Sequence, residues 1–272
     1  RDWREANQHK LEPASDLLAE ILETRRQNWQ GRGKYKEPAE TDTTNPAELP
    51  AGWVWVSVAH ILREGLSNGR SVRTAEHGFP VLRLTALKDG RIELSEFKVG
   101  EWTKEEAAPY CIERGDVLVS RGNGSKQLVG LGGLVVEQPA SVAFPDTMIR
   151  IPLNLTSADA EWFIHLWNSP FMRSQIEASA KTTAGIYKIN QGDIRSFVVP
   201  LPPIAEQREI SARIAETMVR ITNLERACET ELTRSKSLRQ SILKSAFTGQ
   251  LVPQDPNDEP AIKLLARIRS GK

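Results

Sequence analysis

Short apolar runs broken by glycine fill the stretch from Leu49 to Pro203: Phe79–Leu84, Val117–Ser120, Leu134–Val136, Met148–Ile151 and Phe197–Val199. Runs of this length, bounded by turn formers, read as β-strands. One segment interrupts them, at roughly 157–180, where Trp162, Phe163, Leu166 and Trp167 predict a single helix with an apolar face. The pattern predicts one compact α+β domain over 49–203. After Pro203 the period changes. Ile210, Ile214, Ile221, Leu224, Cys228, Leu238 and Ile242 follow one another at steps of three, four or seven residues or their sums, the seam of a coiled coil, with Glu231 and Ser235 breaking it. A long helix is predicted over 204–249.

The chain also repeats itself. Residues 12–21, Glu-Pro-Ala-Ser-Asp-Leu-Leu-Ala-Glu-Ile, return at 259–268 as Glu-Pro-Ala-Ile-Lys-Leu-Leu-Ala-Arg-Ile, matching at seven of ten positions. In both copies a proline sits where a helix begins, and Leu17, Leu18 and Ile21, like Leu264, Leu265 and Ile268, form an apolar stripe. So long a period predicts duplication of a large module rather than a solenoid. Two unrelated amphipathic helices are the other reading. Between the first copy and the domain, residues 27–48 read as a linker: Trp29, Arg32, Lys34, Tyr35 and Lys36 lead into a Thr/Asn/Pro-rich stretch.

Composition changes this picture little. The 272 residues carry a formal net charge of +1, and residues 53–200 hold sixteen Lys and Arg against sixteen Asp and Glu. Any nucleic-acid-binding charge must therefore be concentrated on one face. No apolar run approaches the roughly 18 residues of a transmembrane helix. We expect a soluble, cytoplasmic protein that does not enter a membrane. Cys111 and Cys228 stand far apart with no Cys-x-x-Cys and no histidine at ligand spacing, so neither a metal site nor a disulfide is predicted, and both are expected as buried thiols. The segment Arg121-Gly122-Asn123-Gly124-Ser125-Lys126 lacks the spacing of a phosphate-binding loop. His9, His60, His77 and His165 lie in separate segments, with no nucleophile motif around them. The sequence describes a reader rather than a catalyst.

Three stretches carry a family resemblance. They are Val199-Pro200-Leu201-Pro202-Pro203-Ile204-Ala205-Glu206-Gln207-Arg208-Glu209-Ile210, the run 113–121 (Glu-Arg-Gly-Asp-Val-Leu-Val-Ser-Arg), and 238–251 (Leu-Arg-Gln-Ser-Ile-Leu-Lys-Ser-Ala-Phe-Thr-Gly-Gln-Leu). In this order the chain resembles specificity subunits of type I restriction-modification systems over nearly its whole length, as their C-terminal portion. The resemblance implies the end of a conserved helical region at 1–26, a DNA-binding target-recognition domain at 49–203, and a helix at 204–249 forming an antiparallel coiled coil with another conserved helix. Residues 250–272 would then repeat the N-terminal helical segment. About 44 residues give a helix of roughly 66 Å, near two turns of B-DNA.

It further implies double-stranded DNA and methyltransferase subunits as partners, and translocating restriction subunits in the restriction complex. S-adenosylmethionine, ATP and Mg are expected on those partners, with no cofactor in this chain. Because residue 1 is Arg and the chain opens just before one repeat copy, a second recognition domain is expected upstream. A half-length subunit that pairs with a dimer mate is the alternative.

Reading a duplex requires hydrogen-bonding side chains at base edges beside phosphate contacts that set register. The loop after Val117–Ser120 offers Arg121, Asn123, Ser125 and Lys126, with glycines that allow close approach. The same loop also reads as a hairpin with polar decoration. The loop before the closing strand offers Lys181 and Lys188 for phosphates, and Thr182, Thr183 and Tyr187 for bases or sugar. Arg83 and Lys88, with Thr85, form a weaker group, as do Arg70 and Arg73. The expected function is non-catalytic recognition of one half of a bipartite target. The alternatives are the C-terminal recognition domain of a fused restriction-modification enzyme, or a coiled-coil interaction protein without DNA function.

Overall fold

The computed structural model describes residues 2–7, 9, 11–27, 37–39, 41, 47–183, 185–253 and 255–271. Most of the expected linker, including Trp29, Arg32, Lys34, Tyr35 and Lys36, lies outside the described residues, as does Ala184. In chain order the strands are β1 (Val54–Ser57), β2 (Ser67–Asn68), β3 (Thr74–Leu82), β4 (Leu87–Lys88), β5 (Arg91–Ile92), β6 (Phe97–Gly100), β7 (Val117–Ser120), β8 (Gly122–Asn123), β9 (Gly132–Leu134), β10 (Met148–Ile151), β11 (Lys181–Thr183), β12 (Ile186–Lys188) and β13 (Val198–Leu201). The α-helices are α1 (Asp2–Asn7), α2 (Ala14–Gln27), α3 (Lys104–Ala107), α4 (Ala160–Trp167), α5 (Pro170–Ser179), α6 (Gln191–Ser196), α7 (Ile204–Phe247) and α8 (Ala261–Arg269). One compact unit extends to Arg213, and a second begins at Ile214.

A six-stranded mixed sheet in the order β2-β10-β7-β9-β5-β4 forms the middle layer of the first unit. β7 is buried along its whole length. Its side chains alternate: Val117 and Val119 join the cluster built with Trp162, Phe163, Trp167 and Ile176, while Leu118 joins Leu82, Phe144 and Met148 on the other face. Period-2 alternation with both faces apolar is what a central strand needs, and it explains why the run contains no polar residue before Ser120.

The aromatic stretch forms two helices, not the single helix its periodicity predicts. Pro170 has no N–H to continue α4, and Ser169 caps α5 by accepting from the Met172 N–H at 3.4 Å. Trp162, Phe163 and Trp167 are buried as expected, with Leu166 at the edge of the core. The predicted strands at 117–120 and 148–151 are found with those bounds, whereas those at 79–84, 134–136 and 197–199 are shifted to Thr74–Leu82, Gly132–Leu134 and Val198–Leu201.

β1 and β13 form an antiparallel ribbon pairing Val54 with Leu201 and Trp55 with Pro200. Such a ribbon tolerates Pro200, because only one side of β13 carries a ladder. Only Pro202 and Pro203 separate β13 from α7. Its root is held by buried polar groups: the Gln207 amide donates to Ser157 O (2.8 Å) and Pro202 O (2.9 Å) and accepts from the Asp159 N–H (2.8 Å). Glu206 receives the Trp53 indole N–H at 2.8 Å and Arg4 Nε at 2.8 Å.

Past Arg213, α7 is exposed along the predicted seam, at Ile221, Leu224, Leu238 and Ile242. Cys228 is exposed too and Cys111 is half-buried, which corrects the expectation of two buried thiols: Cys228 sits on an exposed face of α7. The two repeat copies both fold as helices directly after their prolines. Ala14 and Ile21 of the first are buried in the domain core, whereas Ile262, Leu264, Leu265 and Ile268 of the second are exposed.

His60 is 9% exposed, and its Nδ1 lies 2.8 Å from Ser57 Oγ and 3.3 Å from the Ser57 N–H. Burial pushes its pKa below the usual histidine value, and Arg25 adds to the effect. Burial lowers that of His165 as well.

Two stability predictions follow from these contacts. Gln207→Ala orphans two carbonyls and one N–H in the interior, which costs about 3 kcal/mol in urea unfolding. That corresponds to a melting temperature lower by roughly 6–12 °C. A depressed histidine pKa contributes stability that is present above the unfolded-state value of about 6.5 and is lost as pH falls through the folded-state value. The urea midpoint should therefore drop between about pH 7.5 and pH 5.5, and His60→Gln should make that drop shallower.

Candidate nucleic-acid interface

The two loops singled out by composition are one structure. β8, within the loop after β7, pairs with β12, and β12 pairs with β11, giving the order β11-β12-β8. The register sets Tyr187 beside Asn123, Lys188 beside Gly122, Lys181 beside Lys188, Thr182 beside Tyr187 and Thr183 beside Ile186. The Ile189 N–H continues the ladder to Arg121 O at 3.0 Å. A Cβ on Gly122 would stand 3.2 Å from Lys188 Cγ, so glycine lets the two strands close with that lysine lying across them.

Alternation along the strands divides the candidates between two faces. Lys181 and Lys188 share one face, and both are exposed. Thr182, Tyr187 and Asn123 share the other, where Tyr187 leans on the hydrophobic core. Thr182 is exposed, and Tyr187 and Asn123 are half-buried.

Inside the 121–128 loop, part of the polar chemistry is used to shape the backbone. Asn123 Oδ1 accepts from the Ser125 N–H at 3.0 Å, and Ser125 Oγ accepts from the Gln127 N–H at 3.3 Å. These local turns hold Arg121 and Lys126 exposed.

The grouping of its cations is what sets this surface apart. Arg63, Arg70, Arg91, Arg150 and Arg173 all lie within ion-pair distance of a carboxylate. Among the described residues of the domain, Arg121, Lys126, Lys181 and Lys188 have no such partner, and neither do Arg73, Arg83, Lys88, Lys98, Lys104, Arg114 and Arg195, but of these only Lys181 and Lys188 face each other across a strand pair. Lys181 and Lys188 are directly opposite across an antiparallel pair, an arrangement that destabilises a hairpin unless an anion lies between them. A neutral domain thus carries an uncompensated positive surface on β8, β11, β12 and the adjoining loop.

Arg83 and Lys88 lie apart from it. Arg83 Nε donates to Phe97 O at 3.0 Å, and Thr85 Oγ1 donates to Glu96 at 2.7 Å. Lys88 is on β4, the terminal strand of the six-stranded sheet, three strands from β7. No strand pairing or hydrogen bond among the described residues joins either to the three-stranded sheet.

Two participants escaped the sequence reading. The Arg121 N–H donates to Thr147 O at 2.8 Å, which brings the exposed Thr147 beside Arg121. Its only sequence signal is its place one residue before a predicted strand. Arg173, on α5, bonds to carbonyls of the 121–128 loop and its return. Nothing local distinguishes it from a solvated helical arginine.

Among the described residues, no group of three or more His, Cys, Asp or Glu could hold a metal ion, and no helix is long and apolar enough to cross a membrane. The arrangement gathers cations along an edge, and among its described residues no nucleophile and base are in contact.

No protein-family model matches the chain. It is 33% identical over 225 residues to the EcoKI type I restriction enzyme specificity subunit of Escherichia coli K12, covering 79% of this chain and 48% of that subunit. It is 32% identical over 232 residues to the StySPI specificity subunit of Salmonella potsdam, covering 81% of this chain and 50% of that one. The HsdS subunit from Thermoanaerobacter tengcongensis has a similar fold, with a TM-score of 0.54 at 22% identity over 80% of this chain and 54% of that one. The chain spans about half the length of the curated relatives it matches. With its α+β domain, its long helix and these relatives, the chain belongs to the family of type I restriction enzyme specificity subunits.

Proposed function

We propose that the chain is a non-catalytic DNA-recognition element of a type I restriction-modification complex, acting in the cytoplasm. Residues 49–203 read one half of a bipartite target, and the helix at 204–249 packs antiparallel against another conserved helix as a spacer. That second helix comes from another recognition module in the same full-length chain or from a dimer mate, and 1–26 and 250–272 belong to the helical framework. The helices dock methyltransferase subunits, which bring S-adenosylmethionine, and the restriction complex adds ATP- and Mg-dependent translocating subunits.

The observation that carries this reading is the pair Lys181 and Lys188, facing each other without a carboxylate beside Arg121 and Lys126 on a domain of zero net charge. Clustered cations of this kind favour a polyanion, and their rows fit phosphates. Thr182, Thr183, Tyr187, Asn123 and Ser125 then stand next to the phosphate-binding cations as candidates for base or sugar contact. Arg83 and Lys88 are outlying candidates for the flanking backbone.

Lys188→Glu separates binding from folding. An opposite charge facing Lys181 stabilises the hairpin by about 0.2–1 kcal/mol, so the melting temperature should hold or rise. Methylome sequencing of cells carrying the intact gene with this change should show loss of N6-methyladenine in a split motif. Retained methylation at the same motif would count against this surface. Removing one heptad from the part of α7 beyond Ile214 should change the gap between half-sites while each half-site sequence persists. An unchanged gap with methylation intact would remove the spacer role.

A further inference from the structure

The loop that carries Arg121 and Lys126 is held from α4 and α5 as well as by its own turns. On its return, Val129 and Gly130 are buried. Gly130 has φ +71, and a Cβ there would lie 2.7 Å from Ile176 Cγ2, so the backbone presses directly against α5. Three carbonyls along this return point to side chains of α4 and α5. The Trp167 indole N–H donates to Gly130 O at 2.7 Å, Arg173 Nη1 donates to Val129 O at 2.6 Å, and Arg173 Nη2 donates to Lys126 O at 3.0 Å.

Glu177, one turn along α5, accepts from the same Nη2 at 3.3 Å and fixes the guanidinium plane. The Arg173 side chain is only 16% exposed. A planar fork that spans two carbonyls three residues apart can hold a loop at one height; a lysine ammonium cannot do so with the same geometry.

We propose that Arg173 is a positioning residue for DNA recognition: clasping the carbonyls of Lys126 and Val129, it sets the height and angle at which the 121–128 loop meets the duplex. This rests on the reading that the loop faces DNA. Arg173 has its guanidinium turned to carbonyls of the 121–128 loop and its return, so its removal takes no cation from the phosphates and loosens the loop on which Asn123 and Ser125 are the candidates for reading sequence. Base readout demands aligned donors and acceptors, whereas phosphate attraction tolerates movement.

The test compares Arg173→Ala and Arg173→Lys with Arg121→Ala in the full-length gene, by methylome sequencing. Each variant is also assayed for binding of the methylome-derived duplex by the purified complex over a salt series. For Arg173→Ala we expect about tenfold weaker binding of the cognate duplex, the equivalent of one base contact. Methylation should spread to sites mismatched within this domain's half-site, with the other half-site intact. The slope of log affinity against log salt should stay unchanged, and Arg173→Lys should fail to restore discrimination. Arg121→Ala, by contrast, should flatten the slope by about one phosphate contact.

A flatter slope for Arg173→Ala, full rescue by lysine, or an unaltered motif and occupancy would each overturn the proposal. So would a fallen melting temperature in both Arg173 variants with uniform loss of methylation, because the clasp would then hold the fold rather than the loop. If Arg121→Ala and Lys188→Glu also leave methylation untouched, the DNA-facing assignment itself fails. If they abolish it while Arg173→Ala does nothing, only the positioning role is lost.

Discussion

The buried amide of Gln207 is the point on which the first unit turns. It is fully buried and bonds to three backbone groups from two segments, Ser157 O and the Asp159 N–H before α4 and Pro202 O after β13. Leaving any one of these unpaired in a low-dielectric interior is expensive, so the first turn of α7 has one place to sit. Asp159 extends the connection: its carboxylate caps α4 through the Trp162 N–H at 2.9 Å and accepts from Ser211 Oγ at 3.0 Å. The start of the long helix and the start of the aromatic helix are therefore fixed by the same few atoms.

What the sequence made legible, and what it did not, divides along physical lines. The runs 117–120 and 148–151 were readable because both faces of a central strand must be apolar and turn chemistry bounds them. The break at Asn168-Ser169-Pro170 was hidden, because the apolar period runs on across it and a proline at a helix start outweighs that period only once its N–H and ring are placed. Cys228 lies on a seam whose spacing predicts burial; burial needs a second helix packed on that seam, and among the described residues Cys228 is exposed. At the interface, glycine and lysine content pointed to both loops. Their joining through Tyr187 and Asn123 is a matter of register between segments more than sixty residues apart, which no local pattern encodes.

The near-zero net charge, which requires any nucleic-acid-binding charge to be concentrated on one face, makes distribution matter more than amount. Five arginines of the domain body, Arg63, Arg70, Arg91, Arg150 and Arg173, are matched with carboxylates, and Arg150 also bonds to Cys111 O at 3.1 Å. Two of the unmatched cations, Lys181 and Lys188, face each other on the small sheet at the end of β7, with Arg121 and Lys126 on the adjoining loop. Long-range attraction then falls off quickly in salt, so productive binding depends on close fit more than on general positive charge.

The β1–β13 ribbon also has a meaning for heredity. Val54 and Leu201 are cross-strand neighbours, so the chain enters and leaves the domain at one spot. Everything between them is an excursion from the helical framework, anchored by four residue pairs and the buried groups around Gln207. A module whose ends meet can be replaced by recombination at its two flanks without stretching what lies outside. On the proposed reading of 49–203 as the recognition module, a population carrying such genes could acquire new target sequences in single genetic events, provided the junction from Val199 to Gln207 keeps its chemistry.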